Sequence, residues 1–152
     1  MASFYKRVDI LLCPSIREPF GSVCVEASAL GCVVVASRVD GLPEAIEDGV
    51  SGYCLPPTLG IADYPRFGGN VRGLPELVYD PASDELVVPR FVAPQAIAGT
   101  IVDLVESPNV YERMSQAALE RIESKFHFAD YVADLDDFLA GMIERNGSNE
   151  GG

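Results

Sequence analysis

Tryptophan is absent from the sequence and histidine occurs once, at His127. The four cysteines, Cys13, Cys24, Cys32 and Cys54, contain no C-x-x-C pair. That spacing argues against a zinc ligand set and against a disulfide framework. Each thiol lies in an apolar run, as a small buried hydrophobe does in a reducing cytoplasm, which is the compartment expected here. Basic residues are also scarce: 11 Lys+Arg face 23 Asp+Glu, a net charge of −12 with the histidine neutral. That balance argues against a nucleic-acid backbone as partner, since binding it needs a local excess of Lys and Arg. The same field repels any anionic ligand, which local dipoles would have to hold. Long apolar runs are missing too. The densest, Cys32–Ala36, has five residues, against the roughly 20 of a membrane span. Charge within Met1–Cys13 and the lack of a long apolar segment there predict no secretory signal.

What is present is enough for one folded unit. The 152 residues are 48% hydrophobic, too apolar for a disordered chain and long enough for a single domain. Val8–Cys13, interrupted only by Asp9 and stopped by Pro14, reads as a short strand buried on both faces. Phe20–Leu30 reads as a helix that Gly31 ends. Cys32–Ser37 is a second buried strand, Leu42–Glu47 a short helix, and Gly52–Leu55 a third strand running into Pro56-Pro57. Strand, helix, strand, helix, strand is the order of a parallel α/β unit, whose ligands sit beyond the carboxyl ends of the strands.

Residues 58–94 break that pattern. Five of the 11 prolines, Pro65, Pro75, Pro81, Pro89 and Pro94, fall there with Gly60, Gly68, Gly69 and Gly73. The reading is a long irregular excursion holding one hairpin, Glu76–Tyr79 with Glu85–Val88. A variable surface loop is the plain interpretation of such a segment. Helical periodicity then returns, with Ile97, Ile101, Leu104 and Val105 on one face. Ser107-Pro108 marks a new helix start, running to about Lys125. A last helix places Phe128, Tyr131, Val132, Leu135, Phe138, Leu139 and Met142 on one stripe. Tyr111, Tyr131 and Phe138 read as core, Asp134, Asp136 and Asp137 as a solvated face, and His127 as structural. Residues 1–145 form the domain, and the polar tail 146–152 is expected to be disordered.

The chemistry concentrates in Glu18–Glu26. The helix there carries one charged residue, Glu26, among Val23, Cys24, Val25, Ala27, Ala29 and Leu30. A helix apolar all round is buried, and a carboxylate on it wants a partner. Two readings stay open. Glu26 accepts the two hydroxyls of a diol such as ribose, Glu18 faces a ligand, and the N–H groups of Phe20, Gly21, Ser22 and Val23 hold a diphosphate, with Gly21 admitting it close to the backbone. Alternatively, Glu18 complements the helix dipole and Glu26 pairs with Arg17 or Arg38.

Glu18 and Glu26, with Pro19-Phe20-Gly21 between them, resemble the E-x7-E motif of retaining GT-B glycosyltransferases of family 4, the glycosyl transferases group 1. Leu11–Ser15, Glu26–Ala36, Gly41–Ile46 and Asp48–Tyr53 resemble the segments that surround that motif, in the same order. The resemblance implies an α/β fold: a partial Rossmann-like parallel sheet of about three strands with flanking helices and a helical C-terminal segment, half of a GT-B C-terminal domain. It implies a nucleotide-diphospho-sugar donor, an acceptor hydroxyl, Glu18 as the catalytic residue beside the donor sugar, and Phe20, Gly21, Ser22, Val23 and Glu26 as substrate-binding residues. No metal or other cofactor is implied, because amide dipoles and basic side chains hold the diphosphate.

Two departures qualify that picture. The acceptor domain and the first donor-domain strands, which carry the family's Arg/Lys pair, have no counterpart in these residues. Asp40-Gly41 also stands where the family has two glycines. The expectation is therefore a donor-binding portion not catalytically competent by itself. It is a fragment of a longer enzyme, a remnant, half of a split enzyme whose partner chain supplies the missing strands, or a non-catalytic interaction module. The open edge at Val8–Cys13 predicts self-association.

Overall fold

Val33–Ser37 (β2) is buried at every position and is the central strand of the sheet. Its side chains alternate between the two faces. Val34 and Ala36 join Cys13, Cys24, Ala27, Leu42, Ile46 and Cys54 in one apolar cluster. Val33 and Val35 join Leu104 and Met114 in another. A strand packed on both faces must be apolar throughout, and that is the physical origin of the Cys32–Ala36 run.

The computed structural model describes residues 2–126 and 128–147. The order is α1 (Ala2–Tyr5), β1 (Ile10–Cys13), α2 (Ser22–Ser28), β2, α3 (Leu42–Ala45) and β3 (Gly52–Leu55). β1 and β3 flank β2, both parallel to it, with Ile10 opposite Val33 and Val34 opposite Gly52. The expected three-stranded parallel sheet is therefore present. β1 is less buried than its composition suggested, however. Leu12 is 45% exposed, because β1 is an edge strand.

Residues 58–94 hold more regular structure than expected, although 68–77 form no helix or strand. Leu59–Gly60 (β4) pairs antiparallel with Arg90–Phe91 (β7), and a 3-10 helix spans Ile61–Phe67. Tyr64 and Phe67 stack against Phe91 and hold this small sheet together. The expected hairpin is Val78–Asp80 (β5) with Glu85–Val87 (β6), in the register Val78 to Val87. Asp80 closes its turn by accepting from the Ala82 amide and the Ser83 hydroxyl.

Pro94–Glu106 (α4), Pro108–Lys125 (α5) and Phe128–Gly147 (α6) complete the chain. On α4 only Leu104 is buried, while Val105 points outward. On α5, Met114 and Ala118 are buried, and Tyr111 is half-buried with its hydroxyl donating to the Asp9 carbonyl. The core assignment fails on α6. Tyr131 and Phe138 are 63% and 59% exposed, so the apolar stripe of α6 is not core. Asp134, Asp136 and Asp137 are exposed as expected. Asn146 and Gly147, assigned above to the tail, belong to α6. His127 and residues 148–152 lie outside the described residues.

Candidate functional site

The chain leaves β1 at Pro14 and reaches α2 through a loop that turns sharply at Gly21. Gly21 has φ +83°, a left-handed conformation that side chains disfavour. The space a Cβ would take is already filled by Leu42 Cδ2, 2.6 Å away. The glycine therefore serves packing against α3.

Glu18 bends back over this turn, and its Oε1 accepts the Gly21 N–H at 3.2 Å. That removes Gly21 from the expected set of free donors. Among the described residues, the amides of Phe20, Ser22 and Val23 keep no protein acceptor, because α2 hydrogen bonding begins with Cys24 donating to the Gly21 carbonyl. Phe20 is 41% exposed, its ring edge-on to Phe126 at 5.9 Å. Ser22 is exposed and Val23 half-buried.

Glu26 lies one turn further along α2 and is exposed, not buried. Cys24, Ala27 and Ser28 form the buried face, leaving Ser22 and Glu26 on an open stripe. The apolar composition of α2 overstated its burial, since the half-buried Val23 and Val25 border that stripe. Among the described residues, neither Arg17 nor Arg38 forms an ion pair with Glu26. Its neighbour is the buried Tyr5 of α1, whose phenol is raised by burial and then by the charge and hydrogen bonding of Glu26. Glu18 and Glu26 thus bracket, along the chain, three open amides at the α2 entrance.

Arg17 lines a cleft of about 300 Å³ with Pro19, Asp40, Gly41, Glu44 and Tyr79. Arg38 lines a separate cavity beside Arg90, and its Nε is buried with no hydrogen-bond partner among the described residues. The four cysteines are buried and unbridged. Among the described residues, no three His, Cys, Asp or Glu side chains converge as metal ligands, and no helix is long and apolar enough to cross a membrane.

The segment from α1 to the start of the 3-10 helix, residues 1–65, matches the family described as Glycosyl transferases group 1. The match makes residues 1–65 a segment similar to the group 1 enzymes. The group 1 segment is 46% identical over 66 residues to a D-inositol 3-phosphate glycosyltransferase of Streptomyces bingchenggensis, a match covering 43% of this chain and 14% of the relative. A D-inositol 3-phosphate glycosyltransferase of Streptomyces griseus is 41% identical over 78 residues, covering 51% of this chain and 16% of the relative. The chain therefore spans about a seventh of the length of these curated relatives. Solved structures extend the likeness beyond the group 1 segment. The C-terminal domain of a group 1 family glycosyl transferase, LpcC of Francisella tularensis, superposes with a TM-score of 0.55 at 22% identity, covering 82% of this chain and 46% of that one. Anabaena HepE in complex with UDP superposes with a TM-score of 0.66 at 20% identity, covering 91% of this chain and 29% of that one. The three-stranded parallel sheet with its flanking helices is that of a GT-B C-terminal domain.

Sequence reasoning missed Asp40 and Tyr79. Asp40 donates to the Tyr79 carbonyl at 3.0 Å, and its carboxylate accepts the amides of both Glu18 and Tyr79. The only signal was Asp40-Gly41 standing where the family has two glycines.

Proposed function

We propose that this chain is the donor-binding portion of a nucleotide-diphospho-sugar glycosyltransferase. The observation that carries the reading is the pair Glu18 and Glu26 bracketing the open amides of Phe20, Ser22 and Val23 within the group 1 segment. In this reading the exposed Glu26 carboxylate, which has no ion-pair partner among the described residues, accepts the ribose hydroxyls. The amides face the diphosphate, with Arg17 adding positive charge at the loop. Glu18, held on the Gly21 amide, stands by the sugar and stabilises positive charge developing at its anomeric carbon.

In the intact enzyme, the bond from the anomeric carbon to the diphosphate oxygen breaks. A bond to the acceptor hydroxyl oxygen forms on the same face, and the hydroxyl proton leaves with the nucleoside diphosphate. No metal is assigned a step, because amides and basic side chains meet the diphosphate charge. The reading gives donor binding to this chain, and gives turnover to its pairing with further strands, in the same polypeptide or in a second chain. The exposed edge at Leu12 and the exposed stripe of α6 support self-association of the chain by itself, which light scattering tests. A monodisperse monomer at high concentration removes that part. Buried, unbridged thiols support the cytoplasm as compartment.

The UDP complex of HepE makes UDP the first nucleotide to try. Calorimetry with UDP, GDP and ADP tests the reading. Heat with one of them, lost in Glu26→Ala, supports it; no heat with any of them overturns donor binding by this chain.

A further inference from the structure

Asp40 joins two parts of the chain that the sequence keeps far apart. Its Oδ2 accepts the Glu18 amide at 2.8 Å, and its Oδ1 accepts the Tyr79 amide at 2.9 Å. Its own N–H donates to the Tyr79 carbonyl at 3.0 Å. The backbone that permits this has φ +46°, a left-handed conformation uncommon outside glycine. Next to it, the space a Cβ would need at Gly41 is occupied by the Pro19 carbonyl oxygen, so the turn lies directly against the Glu18 loop. Tyr79 belongs to β5, in the segment whose plain interpretation was a variable surface loop. The cleft lined by Arg17, Asp40, Glu44 and Tyr79 opens between the two.

We infer that Asp40 is a positioning residue, and that the β5–β6 hairpin is thereby a wall of the donor site, on its sugar side. The inference rests on the donor reading above. Both carboxylate oxygens are used, each on a backbone amide, so the Glu18 peptide and the hairpin are held to one rigid acceptor pair. Glu18 is fixed from two directions. Its amide is held by Asp40, and its carboxylate is held on Gly21. Among the described residues, Glu26, on the open stripe of α2, shares no hydrogen bond or ion pair with Asp40. Loss of the Asp40 carboxylate therefore loosens the sugar end of the site and spares the ribose end.

Asp40→Gly is the informative variant, because glycine adopts positive φ without strain and only the carboxylate ties are lost. Asp40→Asn keeps one acceptor oxygen and so one of the two ties. Amide hydrogen exchange on the full chain should speed up in Asp40→Gly at Glu18 and Tyr79 together, with an intermediate effect in Asp40→Asn. Unchanged exchange at either amide overturns the inference. Titration should show UDP-glucose binding weakened about tenfold in Asp40→Gly, with UDP binding changed less than about twofold. An equal loss for both ligands reveals a purely structural residue and overturns the positioning role. No heat from the unsubstituted chain with either ligand is a separate result: it overturns the donor reading and the positioning role with it, whatever the exchange rates show.

Discussion

Arg121 of α5 lies 3.1 Å from Glu47, joining residues 74 positions apart in the chain. Its other contacts matter more. Nε donates to the Ala45 carbonyl at 3.2 Å and Nη2 to the Glu44 carbonyl at 2.8 Å. These carbonyls end α3, where no helical partner exists for them. The Arg121 side chain is 11% exposed and that of Glu47 57%, so the guanidinium is held chiefly by backbone.

Arg121→Ala should therefore destabilise the chain by about 2–3 kcal/mol, through two charge-assisted hydrogen bonds and buried stem packing. Glu47→Ala should cost no more than about 0.5 kcal/mol, as exposed ion pairs do. Urea unfolding decides between them: a midpoint shift in the first variant only, at constant slope.

Gly21→Ala combines a left-handed backbone with an overlap on Leu42 Cδ2, 2.6 Å from the new methyl. The expected loss is about 2–4 kcal/mol, seen as a lower urea midpoint. If Leu42 shape is the main obstacle, the Gly21→Ala/Leu42→Ala double variant should lose less than the sum of the single losses.

Glu26 is exposed and free of ion pairs among the described residues, so its removal should not weaken the fold. Glu26→Gln is expected to keep its urea midpoint within about 0.5 kcal/mol of the unsubstituted chain. A larger loss would show that the contact with Tyr5 is structural support, and would return Glu26 to the plain interpretation.

The Cys54 thiol is pushed up to about 12, by burial first and then by the Asp48 charge, with Arg38 and Arg121 opposing. A raised thiol value means the folded chain holds the proton more tightly than the unfolded one. This contribution to stability is complete below the ordinary thiol value of about 8.5 and is lost as pH rises toward about 12. Alkylation at pH 8 should accordingly leave Cys54 unmodified in the folded chain, while all four cysteines react once it is unfolded. Mass spectrometry of the modified peptides reads the difference, and rapid labelling of folded Cys54 would contradict it.

The sequence by itself determined the elements and the chemistry of the loop. Cys32–Ala36 could only be a strand covered on both faces, because five consecutive apolar residues have no solvent face to offer. The order of strands and helices then required a parallel sheet, and Glu18 with Glu26 marked a candidate site beside it. Local pattern could not determine burial, which depends on neighbours distant in sequence. The apolar stripe of α6 reads as core, yet Tyr131 and Phe138 are largely exposed. Glu26 reads as desolvated for the same reason and is exposed. Only the tertiary structure showed that Arg121 closes α3 and that Asp40 ties Tyr79 to Glu18, since hydrogen bonds across 77 and 39 residues leave no periodicity in the chain. Tertiary packing likewise tied the proline-rich excursion to the Glu18 loop, through two carboxylate oxygens that composition records only as one more acidic residue.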